Sequence, residues 1–90
     1  MAFRLAAATF ADALEAGIRY NFIDCDESLV PFYTRLGYRA VGTIRYRFPE
    51  YGEGVVMVLD LYDEARLYML RSPFLKHYRT WAYSQPALAA

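Results

Sequence analysis

From Tyr38 the chain alternates with a period of two. Tyr38, Ala40, Gly42, Ile44, Tyr46 and Phe48 fall on one face, and Arg39, Thr43, Arg45 and Arg47 on the other. That pattern predicts a half-buried strand. Pro49-Glu50-Tyr51-Gly52-Glu53-Gly54 is a cluster of turn formers. Val55-Val56-Met57-Val58-Leu59 follows, apolar on both faces, which predicts an interior strand. The two strands should form an antiparallel hairpin. Earlier in the chain the period is helical. Phe3, Ala7, Phe10 and Leu14 recur at helix spacing over residues 2–17, with Gly17 placed to end the helix in a left-handed cap. Arg19-Tyr20-Asn21-Phe22-Ile23-Asp24 is short and rich in strand formers. Ser28 is the expected N-cap of a second helix over about 29–36, with Pro31 in its first turn and Gly37 closing it. Asp63 should cap a helix through about Arg71. Ser72-Pro73 reads as a restart, Ser as cap and Pro at the first helical position, carrying Phe74, Leu75, Tyr78 and Trp81. Residues 84–90 read as a flexible tail, leaving 1–83 as one unit.

The order is helix, strand, helix, strand, strand, helix. It predicts an α/β fold with a three-stranded mixed sheet. A chain of 90 residues buries only roughly 60–65% of its unfolded surface, so its stability is marginal. Its 57% hydrophobic and 18% aromatic content nevertheless supplies enough apolar mass for a core. Ten basic and ten acidic side chains cancel, which removes any global pull toward nucleic acid or an anionic membrane and leaves little protection against self-association. No apolar run is long enough to span a bilayer. Cys25 is the only cysteine, so there is no internal disulfide and no cysteine-based metal site, and a cytoplasmic setting is expected.

The segment Phe22-Ile23-Asp24-Cys25-Asp26-Glu27-Ser28-Leu29-Val30-Pro31-Phe32-Tyr33-Thr34-Arg35-Leu36-Gly37-Tyr38 sharpens the reading. It resembles the strand and the Phe-Tyr-x-x-x-Gly-aromatic helix of GNAT-superfamily N-acyltransferases, with Phe32, Tyr33, Gly37 and Tyr38 filling the pattern. Asp24-Cys25, Leu29-Val30-Pro31, Met57-Val58-Leu59-Asp60-Leu61 and Arg71-Ser72-Pro73-Phe74 are similar to the long-chain N-acyl amino acid synthase branch. The resemblance covers nearly all of this sequence and the C-terminal half of a family domain. The Gly-rich loop that holds the cofactor pyrophosphate in that family would precede the first helix.

The resemblance implies a partial GNAT fold, with the strand around Val58 between the other two and the first strand at an edge. It implies transfer of an acyl group from a coenzyme A or acyl carrier protein thioester to an amine, an amino acid or similar small acceptor. Tyr33 would protonate the departing thiolate, a step open to a phenol. Asp26, Ser28 and Phe32 would lie on the cofactor side, and residues 55–59 would wall the acyl chain. The alternative is a non-catalytic module of the same fold, acting in self-association or protein interaction. An exposed edge strand is a template for pairing with another chain, so self-association, or completion by a complementary N-terminal segment, is expected there.

Other residues have blander readings. Cys25, before a helix N-terminus, has some features of a nucleophile, but a buried, inert cysteine at a strand end is preferred. Asp26 is read first as a loop or cap residue. Asp24, Asp26 and Glu27 make a solvated loop and no metal site. His77 is read as a surface helix residue. Arg39, Arg45 and Arg47 are read as a solvated strand face.

Overall fold

The structure, a computed structural model, describes residues 2–45 and 53–85. The side chains of Phe3, Ala7, Ile44 and Arg45 lie outside the described residues. So do Tyr46, Arg47, Phe48, the first part of the expected turn at 49–52, and residues 86–90 of the expected tail.

Helix α1 (Ala2–Glu15) leads to strand β1 (Tyr20–Cys25). A short 3-10 turn (Glu27–Leu29) runs into α2 (Val30–Leu36). Strands β2 (Arg39–Arg45) and β3 (Glu53–Asp60) follow, then α3 (Glu64–Met69) and α4 (Leu75–Tyr83). The sheet order is β1-β3-β2, with the apolar strand central as expected. β1 and β2 share a direction and β3 opposes both. Because β3 lies between them, each hydrogen-bonded pair is antiparallel, and the expected mixed character survives only in the shared direction of the two outer strands.

Three helix ends use the same device. After α1, Gly17 stands at φ +77°, its N–H bonded to the Leu14 carbonyl while the Ile18 N–H reaches Ala13. After α2, Gly37 stands at φ +124°, with Gly37 N–H to Thr34 and Tyr38 N–H to Tyr33. After α3 the same pair of bonds runs from Arg71 to Tyr68 and from Ser72 to Leu67, around Arg71 at φ +54°. The left-handed residue lets two orphan carbonyls be satisfied at each end. The third case ends α3 at Met69, short of the Arg71 expected from the periodicity. The restart also shifts. Ser72 Oγ accepts from the Phe74 N–H, and α4 begins at Leu75.

The N-terminus of the second helix differs from expectation as well. Asp26 caps the 3-10 turn, with Ser28 donating both its N–H (2.9 Å) and its hydroxyl (2.5 Å) to Asp26 Oδ2, and α2 itself starts after Leu29 with no side-chain cap. The Ser28 hydroxyl is used as a donor to that carboxylate, the Val30 N–H goes to the Glu27 carbonyl, and Pro31 has no N–H for Ser28 to cap. The two bonds from Ser28 hold the Asp26 carboxyl below the usual carboxylate range.

Burial is one-sided. Inward-facing Cys25, Met57 and Leu59 join Phe10, Leu14, Leu36, Tyr38, Leu61, Leu67, Phe74, Tyr78 and Ala82 in one core. Phe10 and Phe74 stack at 4.5 Å and bind α1 to the start of α4. Among the described residues no helix covers the outward row: Tyr20 and Phe22 are exposed, and Val56 and Val58 are half-buried. The strand read as apolar on both faces is thus interior within the sheet but covered on one side. β2 is more open than its alternation predicts. Arg39 to Thr43 are all exposed, and the ladder shifts register between Ala40 and Gly42. The bulge adds one residue, Val41, and breaks the period of two that the sequence displays.

The corner between α2 and β2 is tied across the molecule. Ser72 Oγ donates to the Leu36 carbonyl at 2.6 Å. Arg66 Nε donates to the Gly37 carbonyl at 2.9 Å and its Nη2 to the Tyr38 carbonyl at 3.0 Å. Gly37 is required there. A Cβ would lie 2.9 Å from Leu67 Cδ2 and 3.0 Å from Leu59 Cδ1, on a backbone that L-residues rarely adopt.

Gly37→Ala is expected to cost about 2–4 kcal/mol, strain and overpacking together, in urea unfolding. A midpoint equal to wild type would mean the corner relaxes without penalty. Ser72→Ala, which strips the buried Leu36 carbonyl of its donor, should cost about 1–3 kcal/mol in the same measurement.

Candidate functional site

The site is a groove of about 430 Å³ between α1, β1 and α2. Its walls are apolar for a reason visible in the elements. Phe10 and Ala13 come from the buried face of α1, Ile23 from the inward row of β1, and Phe32 and Leu36 from α2. Leu59, Leu61 and Phe74 close it from the core side. Of the residues 55–59 expected to form a wall, Leu59 is the one that lines it.

The polar groups in the groove are Thr9, Asn21, Tyr33 and Tyr38. Asn21 Nδ2 donates to Tyr38 Oη at 2.6 Å, joining β1 to the start of the β2 limb. Tyr33 is half-buried. Its ring stands edge-on to Tyr38 at 5.4 Å and to Phe32 at 5.1 Å. Burial pushes the Tyr38 phenol above the ordinary tyrosine range; the Asn21 hydrogen bond opposes this and Tyr33 adds to it.

The expected site residues separate into two groups. Phe32 and Tyr33 lie in the groove. Asp26 and Ser28 do not line it; both are exposed and bonded to each other in the turn before α2. Cys25 is buried at the end of β1, its Sγ 3.8 Å from Met57 Sδ. Burial raises its thiol pKa, and Asp26 and Asp24 raise it further. A thiol held protonated is a poor nucleophile, in keeping with an inert cysteine.

Among the described residues no group of His, Cys, Asp and Glu converges to hold a metal. Arg39 is exposed and sits 3.5 Å from Asp63, the cap of α3. His77 lines a second groove between α1 and α4 with Lys76, Glu15 and Trp81.

Sequence reasoning missed Asn21 and Tyr38 as a polar pair, and missed Arg66. Asn21 had a signal: it is the one amide in an inward row otherwise occupied by Ile23 and Cys25. Arg66 had none, because its partners lie about thirty residues upstream.

The molecule is a small α/β domain built on a three-stranded sheet with its helices on one face. Compared with family models, curated proteins and solved structures, the chain matches none. Among the described residues no helix is long and apolar enough to cross a membrane.

The raised Tyr38 pKa has a pH consequence. The neutral phenol stabilises the fold fully below the unfolded-state pKa of about 10, and that stability is lost as pH rises through the higher folded-state value. Absorbance titration at 295 nm should show a late-ionising tyrosine fraction that shrinks in Tyr38→Phe. Identical titration curves for the two proteins would contradict it.

Proposed function

We propose that this chain forms the C-terminal half of a GNAT-type N-acyltransferase that works in the cytoplasm, with Tyr33 as the acid that serves the leaving thiol. The observation that carries the reading is the position of Tyr33: it follows Phe32 on α2 and lines an apolar groove beside Tyr38. The Phe32-Tyr33 motif and its closing Gly37 supply the resemblance, and the lone unpaired Cys25 fits a reducing compartment.

In this reading the donor is an acyl thioester of coenzyme A or of an acyl carrier protein. The acceptor is a small amine such as an amino acid. The neutral amine nitrogen attacks the thioester carbonyl carbon and a C–N bond forms. The carbon–sulfur bond breaks, and the thiolate takes the Tyr33 proton. The tyrosinate regains a proton from the nitrogen, leaving an amide and a free thiol. Asn21 and Tyr33 would face the polar end of the acyl group, while Ile23, Leu59 and Leu61 would cover its methylenes. Asp26 and Ser28, at the entrance to α2, would meet the cofactor arm from outside the groove.

The test is release of free thiol from a medium-chain acyl-coenzyme A with a panel of amino acids as acceptors. Calorimetric titration of the same acyl-coenzyme A is run in parallel. The complete domain of which this chain would be the C-terminal half is expected to bind and turn over with wild-type Tyr33. Tyr33→Phe should lower kcat by about a hundredfold while changing KM less than about threefold. Equal kcat values would remove Tyr33 from the mechanism, and neither heat nor thiol release from that complete domain would remove the transferase reading.

A further inference from the structure

β1 is an edge of the sheet, and the direction of its free backbone groups can be read. The Leu61 N–H donates to the Arg19 carbonyl at 2.7 Å, so Arg19 faces β3. In an antiparallel ladder the N–H and C=O of one residue point to the same side, and the side alternates along the strand. Asn21, Ile23 and Cys25 therefore also turn their backbone toward β3. Tyr20, Phe22 and Asp24 turn theirs to the free edge. Side chains follow the same alternation. These three residues occupy the outer face, where Tyr20 is 52% and Phe22 65% exposed.

We infer that this edge pairs with β1 of a second copy, antiparallel, about a two-fold axis that stands perpendicular to the sheet midway between the two Phe22 residues. The register follows from the free groups. A perpendicular two-fold keeps both outer faces on one side and pairs residues of like orientation. Phe22 opposite Phe22 of the second copy sets Tyr20 opposite Asp24, and Asp24 opposite Tyr20. All three free residues then pair, exchanging about six main-chain hydrogen bonds. A slip of two residues in either direction carries one of them past the end of the opposing strand. The sheets become continuous, β2-β3-β1 of one copy running into β1-β3-β2 of the other.

The side chains point to the same partner. At the axis Phe22 covers its own mate, removing the most exposed aromatic of the strand from water. On each side the Tyr20 hydroxyl can donate to Asp24 of the second copy. The Arg19 guanidinium, paired with Asp60, sits 5.1 Å over the Tyr20 ring and holds that ring in place at the edge. A parallel pairing in register would instead set Asp24 against Asp24. The other edge is unsuited: β2 carries the bulge at Ala40–Gly42, a feature that spoils edge pairing, whereas the β1 ladder runs evenly from Tyr20 to Cys25. None of this depends on the acyltransfer reading.

Sedimentation equilibrium of the full chain tests the inference. At high concentration the mass should be twice the chain mass of 10.4 kDa. Phe22→Lys, which sets two like charges at the axis, should halve it with the circular dichroism unchanged. Disulfide trapping tests the register. In a Cys25→Ala background, Phe22→Cys should cross-link to itself on mild oxidation, since the paired Cα atoms would be about 5.5 Å apart. Val41→Cys on the β2 side should stay uncross-linked. A wild-type mass of one chain, a dimer that survives Phe22→Lys, or trapping at position 41 equal to that at 22 overturns the proposal. If Phe22→Lys does not fold, the two cysteine variants decide it alone.

Discussion

Three consecutive carbonyls, those of Leu36, Gly37 and Tyr38, leave the end of α2 with no helical partner, and two side chains from the far end of the sequence collect them. Ser72 takes the first and the Arg66 fork takes the other two. Unmet, such groups at a buried corner would each cost about 1–3 kcal/mol. Met, they weld α2 and β2 to the α3–α4 corner. Arg66 suits the task because its planar guanidinium presents donors at fixed spacing and keeps its charge even where burial and Arg39 draw its pKa down. The weld demands a backbone turned to φ +124° and pressed against Leu67 and Leu59, and only glycine supplies both.

The groove is a consequence of that corner. Tyr33 and Leu36 lie on the last turns of α2, and Tyr38 lies just beyond it, so fixing the corner fixes the angle between the two phenols. Asn21 then reaches Tyr38 from β1 and sets the opposite wall. A second polar tie works two residues earlier, at the start of β1. Arg19 forms a two-pronged pair with Asp60 at 3.2 Å, and Asp60 Oδ1 also accepts the Tyr62 N–H where β3 turns toward α3. Arg19 is exposed and Asp60 half-buried, so solvent screens the pair and it orients the chain more than it stabilises it.

One-sided burial governs the rest. The helices gather on the inward row of the sheet, and hydrophobic residues on the outward row remain in contact with water. That asymmetry produces both notable surfaces of the molecule. The groove lies inside, where α1 and α2 diverge over β1. The unpaired edge lies outside it, with its free backbone groups and Phe22 directed away from the core.

What could be read from the residues alone was local. The helix and strand segments, the left-handed glycines at 17 and 37, and the central place of the apolar strand follow from periodicity, from the backbone freedom of glycine, and from the absence of charge between Val55 and Leu59. Tyr33 as a residue of interest was legible from its place after Phe32. What the sequence could not supply was competition between distant or equivalent groups. Ser28 became a double donor to Asp26 in a 3-10 turn and so left α2 with no side-chain cap. A bulge at Val41 cancelled an alternation that is regular in the sequence. Arg71 closes α3 in a left-handed conformation, and the Ser72 that follows it meets the Leu36 carbonyl, thirty-six residues back along the chain. Short-range preferences are written residue by residue, whereas a hydrogen bond across the fold exists only once the hydrophobic core has brought its two ends together.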